Sequence, residues 1–308
     1  MMSVLGGLLG LVLLYYGAEF LVKGGTSIAL KMKISPLVIG LTLVAYATSA
    51  PELVVSIDAA MKGLGDVSMG NIVGSNICNI ALILGLCAMI TPLRVNANLL
   101  KFDVWVMILS AIALLVCYIF TGGVSRLWGM GFFLCCITYT IWSIYSSKRE
   151  NATEETPQQK VYNIYLAIGM TVGGLGFLIG GAKLFVNAAI FLAKTCGVSD
   201  AVIGLTVVAV GTSLPELATS VVAAIKKQQD IAIGNVVGSN IFNILAILGI
   251  APIINPIATK DISLIDMGLM LGVSLLLFPM MKTGMRINRL EGLVLLLVYI
   301  GYTIYLIV

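Results

Sequence analysis

Two short stretches, "ATSAPE" (47–52) and "GTSLPE" (211–216), each set a glutamate directly after a proline inside an otherwise apolar run. A carboxylate at mid-bilayer costs about 2.5–3.5 kcal/mol on insertion scales, so Glu52 and Glu216 together cost roughly 5–7 kcal/mol without compensation. No lysine or arginine lies within a few turns of either in the sequence, which leaves a bound cation as the natural counter-charge. The neighbours suit one. Helical spacing sets Thr48, Glu52 and Ser56 on one stripe, with Ser49 a turn from Glu52. Thr212, Ser213, Glu216 and Ser220 repeat the arrangement. Pro51 and Pro215 cannot donate to the carbonyls four residues back, those of Ala47 and Gly211, and so free them.

A second motif, "GSNICNI" (74–80) and "GSNIFNI" (238–244), spaces Ser75 from Asn79 and Ser239 from Asn243 by four residues. Every candidate ligand is a hard oxygen, and the chain has no histidine. That selects Ca²⁺, Na⁺ or Mg²⁺ over transition metals. Two carboxylates neutralise one Ca²⁺ or two monovalent ions, so one cage suits either load.

These residues must be carried by membrane-spanning elements. Of 308 residues, 59% are hydrophobic and 10% charged, far from the roughly 25% charged of soluble domains. Ten apolar runs read as transmembrane helices: about 4–30, 35–61, 67–90, 102–121, 126–146, 161–193, 200–225, 231–254, 262–281 and 290–307. The fold class expected is an all-α membrane protein. Residues 4–16 lack a basic segment ahead of them and read as part of the first span, not as a cleavable signal. The six cysteines have no metal-ligand spacing and read as small hydrophobes. The net charge of +4 comes from membrane-flanking residues and does not point to nucleic acid.

Taking the spans alternately, twelve Lys/Arg fall on one side and four on the other. This places both termini outside and the polar linker 147–160 in the cytoplasm, where the sequon at 151–153 would stay unused. Residues 1–146 form one half and 161–308 the other. The halves are copies: shifting the chain by 164 aligns 17–92 with 181–256 without a gap, with about 36 of 76 positions identical. Five spans per half is an odd number, so the copies are expected to be inverted, as in secondary transporters with a site near the midplane.

At these two motifs the chain resembles the cation/Ca²⁺ exchanger superfamily, and within it the prokaryotic sodium/calcium exchangers, over nearly its whole length. The resemblance implies ten helices around a four-helix core. It also implies Glu52 and Glu216 as central Ca²⁺ ligands, with Thr48, Ser49, Thr212, Ser213, Ser75 and Ser239 at flanking Na⁺ sites. It assigns the carbonyls of Ala45 and Ala209, where the proline argument points to Ala47 and Gly211. Some family members carry an aspartate at the position of Asn243; here Asn79 and Asn243 are both amides, so the site holds two acids.

The function expected is antiport of Na⁺ for Ca²⁺ by alternating access. The alternative is a Ca²⁺/H⁺ antiporter in which the glutamates take the protons. A passive channel fits less well, because pores usually form on an oligomeric axis and this pseudo-dyad lies within one chain. No enzyme is indicated: intramembrane proteolysis needs an Asp pair or a Ser/His arrangement. No cofactor and no obligate protein partner is expected beyond the lipid bilayer. Glu19 and Lys23 read as an ion pair, Asp58 as facing a vestibule or a polar partner, and Asp103 and Asp266 as interfacial.

Overall fold

Long apolar runs become long helices because a segment in lipid must satisfy its backbone internally. In the computed structural model, which describes residues 2–150, 161–196 and 209–307, α1 (Met2–Met32) and α7 (Ile164–Thr195) have 31 and 32 residues. At 1.5 Å per residue each is about 45 Å long, half as long again as a hydrocarbon core of about 30 Å. They lie against each other along a seam of small residues. A Cβ added to Gly17 would sit 2.8 Å from the Gly174 carbonyl oxygen, and one added to Gly10 would sit 2.8 Å from that of Gly181. Such small-residue seams let helix backbones approach closely in membranes.

The second span is broken. Its halves α2 (Pro36–Thr48) and α3 (Ala50–Met61) are bent by 48°, with Ser49 at the break (φ −83°, ψ 10°). The same break recurs between α8 (Ala209–Thr212) and α9 (Leu214–Ile225), at Ser213 (φ −86°, ψ 7°). In both cases the proline stands second in the following helix, where its missing N–H costs little.

The helices carrying the second motif, α4 (Gly65–Ile90) and α10 (Gln229–Ile254), are the centre of the molecule, with 78% of each apolar window buried. The outer spans α5 (Leu99–Thr121), α6 (Arg126–Glu150), α11 (Leu264–Lys282) and α12 (Arg289–Ile307) surround them. They present exposed apolar side chains such as Phe120 and Leu127 outward, as lipid contact requires. Gly85 and Gly249 let α12 and α6 in: a Cβ on Gly292 would meet the Gly85 carbonyl at 2.8 Å, and one on Gly129 that of Gly249 at 2.8 Å.

Two antiparallel ladders tie the ends of the bundle together. β1 (Leu93–Arg94) pairs with β4 (Arg286–Ile287), and β2 (Gly123–Val124) with β3 (Ile257–Ala258). Each joins the first half of the chain to the second.

Eight described helices are long and apolar enough to span a membrane, and the bent pair makes nine. The first part of the run expected at 200–225, and residues 151–160 of the linker with the sequon, lie outside the described residues, while residues 147–150 continue α6. The fold is therefore that of a multi-pass helical membrane protein.

The secondary polar residues resolve into specific contacts. Glu19 accepts from Lys23 at 2.7 Å and also from Lys226, at the end of α9, at 2.6 Å. Asp58 pairs with Lys62 at 2.6 Å. Asp103 is buried and accepts from the Tyr139 hydroxyl at 2.9 Å. Asp266 forms a capping box with Ser263 and accepts from Tyr302 at 3.1 Å. All six cysteines are unpaired.

Candidate functional site

Both glutamates are fully buried, at 0% exposure, and the kink at each serine turns that serine away from its own glutamate. Ser49 lies one turn before Glu52, its carbonyl accepting the Leu53 N–H at 3.1 Å, while its hydroxyl donates to Glu216 at 2.7 Å. Reciprocally, Ser213 faces Glu52 at 3.3 Å and Ser75 at 3.3 Å. Thr212 approaches the Glu52 carboxylate, and Thr48 and Ser239 approach that of Glu216. The two Pro-Glu segments thus cross, each carboxylate served by the other's hydroxyls.

Behind the carboxylates stands a brace that the sequence reading missed. Asn71 donates to the backbone carbonyl of Glu52 at 3.3 Å and to Ser56 at 3.0 Å. Asn235 does the same for Glu216 and Ser220, at 3.3 and 2.9 Å. These amides cross-link the kinked helices to α4 and α10 and fix the carbonyl of each glutamate. The signal was available, since "GN" precedes the second motif at both 70–71 and 234–235. Thr48 is held by Asn235 Oδ1 at 3.1 Å, with the Ala45 carbonyl at 3.2 Å.

Of the two carbonyl assignments, that of Ala45 already accepts the Ser49 N–H at 3.0 Å. With the Thr48 hydroxyl also on it at 3.2 Å, a cation there would take the place of one of these donors. Ala209 opens α8. The Ser213 N–H turns back to Val210 at 3.1 Å.

What stands out chemically is the set of buried oxygens without a hydrogen-bond partner among the described residues. Glu52 Oε2, Glu216 Oε2, Asn79 Oδ1, Asn243 Oδ1, Ser239 Oγ, Asn240 Oδ1 and Thr219 Oγ1 are all in this state. Buried polar atoms are normally paired, and each orphan costs about 1–3 kcal/mol. Six of these seven oxygens lie on residues of the two motifs, and oxygens of this kind are the ligands that hard cations take. Both motif asparagines lie in π-helical segments, Cys78–Leu84 and Asn243–Ile247. Such segments shift the helix register, and they occur frequently at functional sites.

A multi-pass bundle with an oxygen cage at two crossing, broken helices is the architecture of an ion transporter. The chain belongs to the sodium/calcium exchanger protein family, whose model matches residues 2–145 and 166–308. It is similar to the sodium/calcium exchanger MaX1 of Methanosarcina acetivorans, 36% identical over 97% of each chain. It is also similar to an uncharacterized membrane protein of Methanocaldococcus jannaschii, 37% identical over 95% of this chain and 94% of that one. Among solved structures it is similar to the sodium-calcium exchanger NCX_Mj, 35% identical with a TM-score of 0.84 over 97% of both chains. The structures of that protein concern extracellular ion exchange and induced binding-site occlusion, after soaking with Na⁺ and Ca²⁺ or Sr²⁺. As a member of this family the chain is a transporter of the cation-for-Ca²⁺ exchange class.

Proposed function

We propose that the chain is a secondary-active antiporter that moves Ca²⁺ against Na⁺ by alternating access. The ions occupy the cage between the Pro-Glu segments, with Glu52 and Glu216 as shared carboxylate ligands. Thr48, Ser49, Thr212, Ser213, Ser75 and Ser239, the carbonyls of Ala45 and Ala209, and the amide oxygens of Asn79 and Asn243 complete the shell. The single observation that carries this reading is the reciprocal pairing of Ser49 with Glu216 and Ser213 with Glu52, beside the unpartnered buried oxygens of Glu52, Glu216, Asn79, Asn243 and Ser239.

Electrostatics then gives exchange rather than leak. A cage of formal charge −2 becomes neutral with one Ca²⁺ or two Na⁺, and a neutral site can be moved between the two faces of the bilayer. Empty, it carries two uncompensated carboxylates, at roughly 5–7 kcal/mol for the pair. Return without a load is suppressed, so influx of one ion is tied to efflux of the other.

The chain is organised as ten helices in two inverted halves, 1–146 and 161–308, joined by the cytoplasmic linker 147–160, with both termini outside. Equivalent contacts in the two halves support this. Asn71 and Asn235 brace equivalent glutamates, and the two ladders join equivalent positions. Tyr139–Asp103 corresponds to Tyr302–Asp266 at a shift of 163. The glycine seam supports α1 and α7 moving as one unit across the core.

A Ca²⁺/H⁺ antiporter is the second reading, favoured by the two buried carboxylates themselves. Purified protein in vesicles separates the two. An outward Na⁺ gradient is expected to drive ⁴⁵Ca²⁺ uptake at fixed pH. Flux driven only by a pH step would reverse the assignment, and single-channel currents without counterflow would replace antiport by a channel.

A further inference from the structure

An amide ligand has a problem that a carboxylate does not. A carboxylate shows oxygen at either end, whereas an asparagine turned the wrong way presents two N–H bonds to a cation. For Asn243 the orientation is set by a neighbour. Its Nδ2 donates to Asn76 Oδ1 at 2.9 Å, which leaves Asn243 Oδ1 buried and unpartnered.

Asn76 is itself fixed. Its Nδ2 faces the backbone carbonyl of Asn240 at 3.4 Å and the sulfur of Met270 at 3.9 Å. A backbone carbonyl only accepts, so it orders the series: Asn76 must turn its NH₂ toward Asn240 and its oxygen toward Asn243. Asn76, Asn240 and Asn243 are each exposed by 2% or less, which leaves solvent little access to compete for these bonds.

We propose that Asn76 is a positioning residue that turns the Asn243 amide oxygen-first toward the ion cage, making a neutral side chain usable as a cation ligand. The proposal rests on the reading of Asn243 as a ligand given above. The bond exists on one side of the cage only. In the equivalent pair, Asn240 and Asn79, both polar atoms of the Asn240 side chain and the oxygen of Asn79 have no partner among the described residues.

The test is a double-mutant cycle read by equilibrium ⁴⁵Ca²⁺ binding to the purified full chain and by its displacement with Na⁺. Asn76→Leu, or Asn76→Ala if the leucine variant does not fold, is expected to weaken binding about tenfold in the native background. In an Asn243→Asp background the same substitution is expected to change binding by less than about threefold, because either carboxylate oxygen serves. Equal losses in both backgrounds would make Asn76 a packing residue and overturn the proposal, as would native binding by both Asn76 variants. Failure of the underlying ligand reading looks different: Asn243→Leu would bind both ions as the native protein does, and the proposal would fall with it.

Discussion

Ser49 and Glu216 are 167 positions apart in the chain and 2.7 Å apart in space, whereas Ser213 reaches Glu52 at 3.3 Å. The two bonds are equivalent by sequence and unequal by geometry. Ser49→Ala is therefore expected to lower the stability of the ion-free protein by about 1–3 kcal/mol, the cost of leaving a buried acceptor without its donor. Ser213→Ala is expected to cost less. Thermal melts without Na⁺ or Ca²⁺ check the order; a larger loss for Ser213→Ala contradicts it.

Neutralising a glutamate separates folding from transport. Glu52→Gln and Glu216→Gln are each expected to abolish Ca²⁺ flux. Each is also expected to raise ion-free stability, since a buried charge costing about 2.5–3.5 kcal/mol is gone. The native protein should gain about 2.7 kcal/mol at a ligand concentration of 100 Kd, and the variants should lose that gain. Melts with and without Ca²⁺ measure both effects.

The seam between α1 and α7 makes a sharp comparison of adjacent glycines. A Cβ on Gly174 would lie 2.7 Å from both the Gly17 carbonyl oxygen and the Leu21 nitrogen, while one on Gly173 meets nothing within 4 Å. Gly174→Ala is expected to cost about 1–3 kcal/mol by forcing the helices apart and to slow exchange. Gly173→Ala is expected to be close to neutral in both assays.

At the end of α9, Glu19 serves two cations. Lys226→Gln leaves Glu19 still paired with Lys23, so a loss below about 1 kcal/mol is expected for this partly exposed pair. Glu19→Gln leaves two ammonium groups facing each other and is expected to cost more, with the excess shrinking as salt is added. Melting curves at low and high ionic strength distinguish the two; an equal loss from both variants argues against a shared carboxylate.

What the sequence determined on its own was everything carried by pattern along the chain. Apolar run length marked the eight or nine spans found among the described residues, because the bilayer dictates helix length and backbone satisfaction. The repeat at 164 identified Glu52 and Glu216 as equivalents, because duplicated polar residues in lipid stand out against an apolar background. Tertiary structure alone decided which groups meet. At the break, the Ser49 hydroxyl meets Glu216 rather than Glu52, a pairing that ideal helical spacing cannot anticipate. Asn71, Asn235 and Asn76 were visible as letters but not as braces, since their partners lie on other helices. Asp103 stands at a span end by pattern, and only the packing shows that Tyr139, 36 residues later, is its hydrogen-bond partner. Hydropathy acts through distance along one helix, whereas the proposed ion cage draws on several, and only their packing fixes which oxygens converge.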